Sequence, residues 1–121
     1  MNLPGTLLLE ISEVVPSNNR LLRMHWAQRR KLAQKWQWLV WLEVFRLGFP
    51  SLPPGKLAVR ITRRSHHRMD ADNLAGSAKI VLDALRYTHL IADDSPAHIT
   101  LTCEQESGHS LTRIQLTAAS A

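Results

Sequence analysis

Five aspartates and a lysine in the second half of this chain have the types and spacing to do chemistry. Asp70-Ala71-Asp72-Asn73-Leu74 is followed by Lys79 and Asp83, and then by Ala92-Asp93-Asp94-Ser95-Pro96. On a helix with Asp72 at the origin, Gly76, Lys79, Asp83 and Arg86 all fall within about 40° of it. Leu74, Ala78, Val81, Ala84 and Leu85 fall opposite, so one face can pack while the other lifts a ribbon of carboxylates and cations. Carboxylate oxygens suit Mg²⁺ or Mn²⁺, hard cations that take oxygen ligands and keep several waters. Three carboxylates gathered at ~4 Å would repel one another by a few kcal/mol per pair, a cost that a dication removes. Such an ion acidifies a water and takes up charge on a phosphate, and a nearby ammonium such as Lys79 stabilises the developing negative charge. Each group also has an ordinary structural reading. Asp70 or Asp72 can be an N-cap, Asp93-Asp94-Ser95-Pro96 a turn, and Lys79 with Asp83 a surface ion pair. An isolated cap, however, needs neither a second acid one residue away nor a basic loop just before it.

That basic loop belongs to a charge asymmetry. The net formal charge of +5 conceals a block from Val14 to Met69 with twelve Lys/Arg and one acid, Glu43, while the rest of the chain has three basic and nine acidic residues. A block so basic points to a polyanion partner, because each phosphate neutralised releases counterions. His25, His98 and His109 show no metal-ligand spacing, and His66-His67 in the basic loop read as an exposed loop within reach of phosphate. Cys103 is the only cysteine, so neither an internal disulfide nor a Cys-x-x-Cys zinc site is available.

The elements that must position these groups read as one domain over 1–121, with 45 % apolar and 21 % charged residues and no internal linker or repeat. Thr6 to Val15 reads as a strand closed by the turn-rich loop Pro16-Ser17-Asn18-Asn19. Trp26 to Leu47 runs without Gly or Pro to Gly48 and reads as a long helix. Phe49 to Gly55, with three prolines, is a loop. Lys56 to Arg64 alternates, with Leu57, Val59 and Ile61 inward and Ala58, Arg60 and Thr62 outward. Asp72 to about Thr88 is the second helix, and two further alternating runs, Ile99 to Cys103 and Leu111 to Leu116, flank Ser107-Gly108-His109-Ser110 as a hairpin. The expected fold is α+β, β-α-β-α-β-β, a mixed sheet with two helices packed on it. On the first helix Trp26, Ala33, Trp36, Val40, Val44 and Leu47 form one stripe. Trp38, Trp41, Leu42 and Phe45 form another, and a second apolar face implies a partner chain. No apolar run is long enough for a membrane span and the start lacks a signal-peptide pattern, so a soluble cytoplasmic domain is expected.

Along nearly its whole length the chain resembles the RusA-type Holliday junction endonucleases, small homodimeric enzymes of bacteria and prophages. The resemblance rests on Pro16-Ser17-Asn18-Asn19-Arg20, Asp70-Ala71-Asp72-Asn73-Leu74, Asp83-Ala84-Leu85 and Asp93-Asp94-Ser95. It implies a RusA-like fold and Mg²⁺- or Mn²⁺-dependent hydrolysis of phosphodiester bonds in four-way DNA junctions, by a homodimer acting in recombination and repair. It also implies that Asp70, Asp72 and Asp94 are the metal-binding catalytic acids. Asn18, Asn19, Arg20, Arg23, Arg64 and Arg68 are the candidate DNA contacts. Two positions depart from the family. The prototype's catalytic lysine lies four residues after the second motif aspartate, where this chain has Gly76; Lys79 lies on the same helix face about 4.5 Å further along the axis. His89 stands where a glycine usually follows the helix. A nuclease for other branched DNA and a junction-binding protein without activity are the alternatives.

Overall fold

The computed structural model describes residues 5–119. Four strands and three helices follow in the order β1 (Thr6–Ile11), α1 (Asn18–Arg23), α2 (Trp26–Arg46), β2 (Leu57–Arg64), α3 (Ala71–Tyr87), β3 (Ile99–Glu106) and β4 (Leu111–Ala118). The strands make one mixed sheet in the order β1-β4-β2-β3, with β2 parallel to β3 and antiparallel to β4. The α+β class and mixed sheet expected from the sequence are therefore present.

One sheet face is apolar because the alternations coincide across the register. Leu9, Ile114 and Ile61 lie side by side, as do Leu7, Leu116 and Val59, and all six are nearly or fully buried. Onto this face pack Trp36, Val40 and Val44 of α2 and Ala78, Val81, Leu82 and Leu85 of α3. No helix of the described residues is long and apolar enough to cross a membrane.

Four local expectations need correction. The strand expected to reach Val15 ends at Ile11; beyond it the Glu13 carbonyl accepts the Thr112 hydroxyl at 2.6 Å, which ties the departing chain to β4. The turn-rich segment after it is the start of α1. Ser17 Oγ accepts the Arg20 N–H at 3.2 Å and Leu21 enters the core, so capping and docking stabilise a helix too short to form alone. Residues 107–110 join β3 to β4, but not as a hairpin, because β2 lies between those two strands. The β2-α3-β3 unit instead closes as a parallel crossover, and the alternation of Ile99–Cys103 is the same for either neighbour. Lastly, Thr62 is buried rather than wet, being flanked in register by the longer Glu104 and Arg113.

The two long helices start and stop where the sequence implies. α2 begins at His25, whose Nδ1 accepts the Ala27 N–H at 3.1 Å, and is followed by Gly48 at φ 80°. α3 begins at Asp70 and is followed by His89 at φ 62°. The left-handed cap thus survives without glycine, since His tolerates positive φ better than bulky or branched residues. The apolar stripes of α2 behave differently: Trp36, Val40 and Val44 are buried, but Trp26 at its first turn is 59 % exposed and does not join them.

Candidate functional site

The acidic motif stands at the N-terminal end of α3, where three parts of the chain hold it. From β3, Gln105 grips the peptide before it: Gln105 Oε1 accepts the Met69 N–H at 2.9 Å and Gln105 Nε2 donates to the Met69 carbonyl at 2.7 Å. Asp70 then caps α3, Oδ1 accepting the Asn73 N–H at 2.9 Å. Asn73 Nδ2 donates back to both carboxylate oxygens of Asp70, and Asn73 Oδ1 accepts the Asn19 N–H from α1 at 2.9 Å. Asn73 therefore links two motif segments that are 54 residues apart. Asp72, exposed in the first turn, makes no side-chain hydrogen bond or ion pair among the described residues.

Gly76 completes that junction and leaves Lys79 as the first cation along this face of α3. A Cβ at position 76 would lie 2.3 Å from Asn18 Cγ and 2.5 Å from Asn18 Cβ, so no side chain fits there while α1 is docked. Helix propensity alone would make Gly76→Ala stabilising by about 1 kcal/mol. The collision reverses the sign: Gly76→Ala is expected to destabilise the fold by about 1–3 kcal/mol, as overpacking does. Urea unfolding measures it, and in an Asn18→Gly background the same change is expected to become neutral or stabilising. Equal effects in both backgrounds would refute the close approach as the reason for glycine.

A cleft of about 500 Å³ opens beside Asp70, lined by Ser17, Arg20, Arg63, His67, Arg68 and Asn73 among others. Arg20 and Arg68, expected as DNA contacts, thus lie together next to an expected catalytic acid. Arg63 was missed by sequence reasoning. Half-buried, it donates from Nε to the Val15 carbonyl at 3.3 Å and from Nη1 to the His67 carbonyl at 3.0 Å. Burial pulls its pKa below the ordinary arginine value, and it braces the loops on both sides of the cleft. The strand alternation marked Arg63 as inward-facing, the only signal available. Of the other expected contacts, Asn18 seats against Gly76, Asn19 gives its N–H to Asn73 and Arg23 is exposed in the last turn of α1. Arg64 donates to the His109 carbonyl at 2.9 Å, in the β3–β4 connection, and does not line the cleft.

Lys79 and Asp94 lie further along α3 and hold each other. Nζ is 2.7 Å from Asp94 Oδ2 and 3.3 Å from Asp83 Oδ1, with the Arg86 guanidinium 3.9 Å from each acid. The hydrogen bond from Lys79 holds the Asp94 carboxyl below the usual carboxylate range, and Asp94 raises Lys79 in return. Asp93 accepts the Asp94 N–H at 2.9 Å, which makes it a cap of this turn. The structure therefore divides the expected constellation: Asp70 with Asn73, Asp94 with Lys79, and Asp72 free between them in sequence. No three acidic, imidazole or thiol groups among the described residues are grouped so as to hold a metal ion. What remains at the cleft is Asp70, with Asp72 two residues on in the exposed first turn of α3. Two carboxylates completed by waters and substrate phosphate oxygens are a set that Mg²⁺ accepts, since it rarely uses an all-protein cage.

In comparison with known proteins, neither a family model nor a curated protein matches this chain.

Proposed function

We propose that the chain is a metal-dependent endonuclease of branched DNA, with the four-way junction as its first substrate. One observation carries the reading: Asp70 lines a cleft walled by Arg20, Arg63 and Arg68, with Asp72 exposed in the first turn of the helix that Asp70 caps. Carboxylates beside guanidinium groups are poorly explained by electrostatic DNA binding alone, which gains nothing from acids. They are what phosphodiester hydrolysis uses, the cations holding the backbone and the acids holding Mg²⁺ or Mn²⁺. When bound, that ion acidifies a water and takes up charge on the phosphate. Asn73 and Gln105 keep the Asp70 carboxylate oriented, and the arginines bind the phosphates on either side of the cut. Lys79 supplies an ammonium for the charge that develops on the phosphate. Incubating a labelled four-way junction, a fork and a linear duplex, each with and without Mg²⁺ or Mn²⁺, tests the proposal. Metal-dependent cutting of the junction supports it, and intact DNA under all conditions refutes it. The Lys79–Asp94 pair favours a second reading, a junction binder without activity, because it leaves Asp94 already neutralised. That protein would retard the junction in a gel and never cut it.

The outer face of α2 supports the homodimer. Trp38, Trp41 and Phe45 stack with centroids 5.3 Å apart and Phe49 closes the row edge-on, yet Trp38 and Phe45 are 57 % and 58 % exposed. A continuous aromatic row in water is costly at ~25 cal/mol per Å², and a second copy would cover it while placing two identical sites for paired nicking. The chain is expected to sediment as a dimer at micromolar concentration and Trp38→Glu with Phe45→Glu as a monomer. A wild-type monomer would remove the basis for symmetric cleavage.

A further inference from the structure

On the other flank of α1 lies a second depression that the cleft at Asp70 does not include. It holds about 450 Å³ and is lined by Asn18, Leu22, Trp26, Arg29, Arg30 and Lys79 among others, with no acid among the described residues of its lining. Leu22 and Trp26 are the apolar floor, 66 % and 59 % exposed, and the Arg30 guanidinium lies 5.1 Å over the Trp26 ring. Building on the nuclease reading, we infer that this groove takes an unpaired nucleotide of the bound DNA, its base stacked on Trp26 and its phosphates on Arg29 and Arg30.

Three observations select that occupant. First, an indole face that receives a guanidinium also receives a nucleobase, because both are flat and π-bearing; Arg30 then moves to the phosphate. Secondly, Arg29, Arg30 and Lys31 crowd the first turns of α2, with no acid in the first turn. Cations at a helix N-terminus oppose its dipole and are unfavourable for the helix itself, so their gain lies with an anion outside it. Thirdly, the groove lies across α1 from the candidate site. Ser17 and Arg20 of the α1 region face the cleft, Asn18 and Leu22 face the groove, and Lys79 lines the groove while bonded to Asp94. A strand lying in the cleft at Asp70 crosses α1 and enters the groove at Trp26. Base stacking is indifferent to sequence and requires an unpaired base, and a branch point supplies one where a regular duplex does not.

Fluorescence anisotropy with a short labelled oligodeoxythymidylate and a duplex of equal length, in chelator so that nothing is cut, reads this directly. Trp26→Ala is expected to weaken single-strand binding about tenfold or more, with duplex binding changed by less than about twofold. Trp26→Phe is expected to recover most of the loss, as stacking on an aromatic face requires. Equal weakening of both DNAs, or of neither, overturns the inference and leaves the nuclease reading intact. So does a wild-type oligomer that Trp26→Ala dissociates, since a second copy would then occupy the groove. A wild-type chain that binds no DNA overturns the nuclease reading, and this inference with it.

Discussion

Asp70→Asn and Asp72→Asn are each expected to reduce Mg²⁺-dependent junction cleavage to background while junction binding persists or tightens. Tightening follows from removing a negative charge beside the phosphate. The fold is expected to tolerate both changes, which keeps the rates interpretable. Asn caps a helix about as well as Asp, so Asp70→Asn preserves the bond to the Asn73 N–H. Asp72 makes no ion pair among the described residues, and its loss forfeits only its interaction with the helix dipole, less than about 1 kcal/mol. Asp94→Asn is expected to lose most activity as well, because Asp94 either joins the ion or fixes the ammonium of Lys79. Quantitative cleavage with a labelled junction separates the possibilities. Wild-type cutting by Asp94→Asn, with the other two inactive, would confine the site to two carboxylates. Wild-type cutting by Asp70→Asn or Asp72→Asn would end the metal-nuclease reading.

The sequence carried the elements further than it carried their arrangement. Helix ends marked by Gly48 and Asp70, and strand faces set by period-two alternation, are local signals and hold to within a few residues. The neighbour of β3 is not local. Ile99 to Cys103 alternates in the same way beside β2 or β4, and only the crossover through α3 decides between them. α1 was missed for a similar reason. Pro-Ser-Asn-Asn has turn chemistry, and what turns it into a helix start is Leu21 in the core and Asn73 receiving the Asn19 N–H. At the site, spacing placed Asp72, Lys79 and Asp83 on one face, and the structure has them there. Spacing could not say that Lys79 would take Asp94 as its nearest partner, because a lysine that reaches one acid reaches several. Nor could it find Arg63 or Gln105, whose roles depend on contacts with Val15 and Met69 across 48 and 36 residues.

Lys79 is where that ambiguity has its largest consequence. Its ammonium is 58 % exposed at the side chain and bonded to Asp94 and Asp83. If the pair is only structural, Lys79→Ala removes an exposed ion pair, costs well under about 1 kcal/mol of stability and leaves the chemistry untouched. If the ammonium faces the phosphate as charge develops there, losses of about a hundredfold in rate, near 3 kcal/mol, are typical for a preorganised contact. We expect the second result, with junction affinity changed far less than the rate. The geometry gives the reason: Gly76 admits α1 at the position nearer the acids, so the first cation along the same face is Lys79, held in place by two carboxylates. Arg68 is the competing source of positive charge, since it lines the cleft two residues before Asp70. Single-turnover cleavage by Lys79→Ala and Arg68→Ala, measured side by side with binding, decides between them. A rate loss confined to Arg68→Ala would transfer the role to the basic loop and leave the Lys79–Asp94 pair as a brace of the turn before β3. Undiminished cleavage by both variants would remove the cation from the mechanism, and the acids with their ion would then account for catalysis alone.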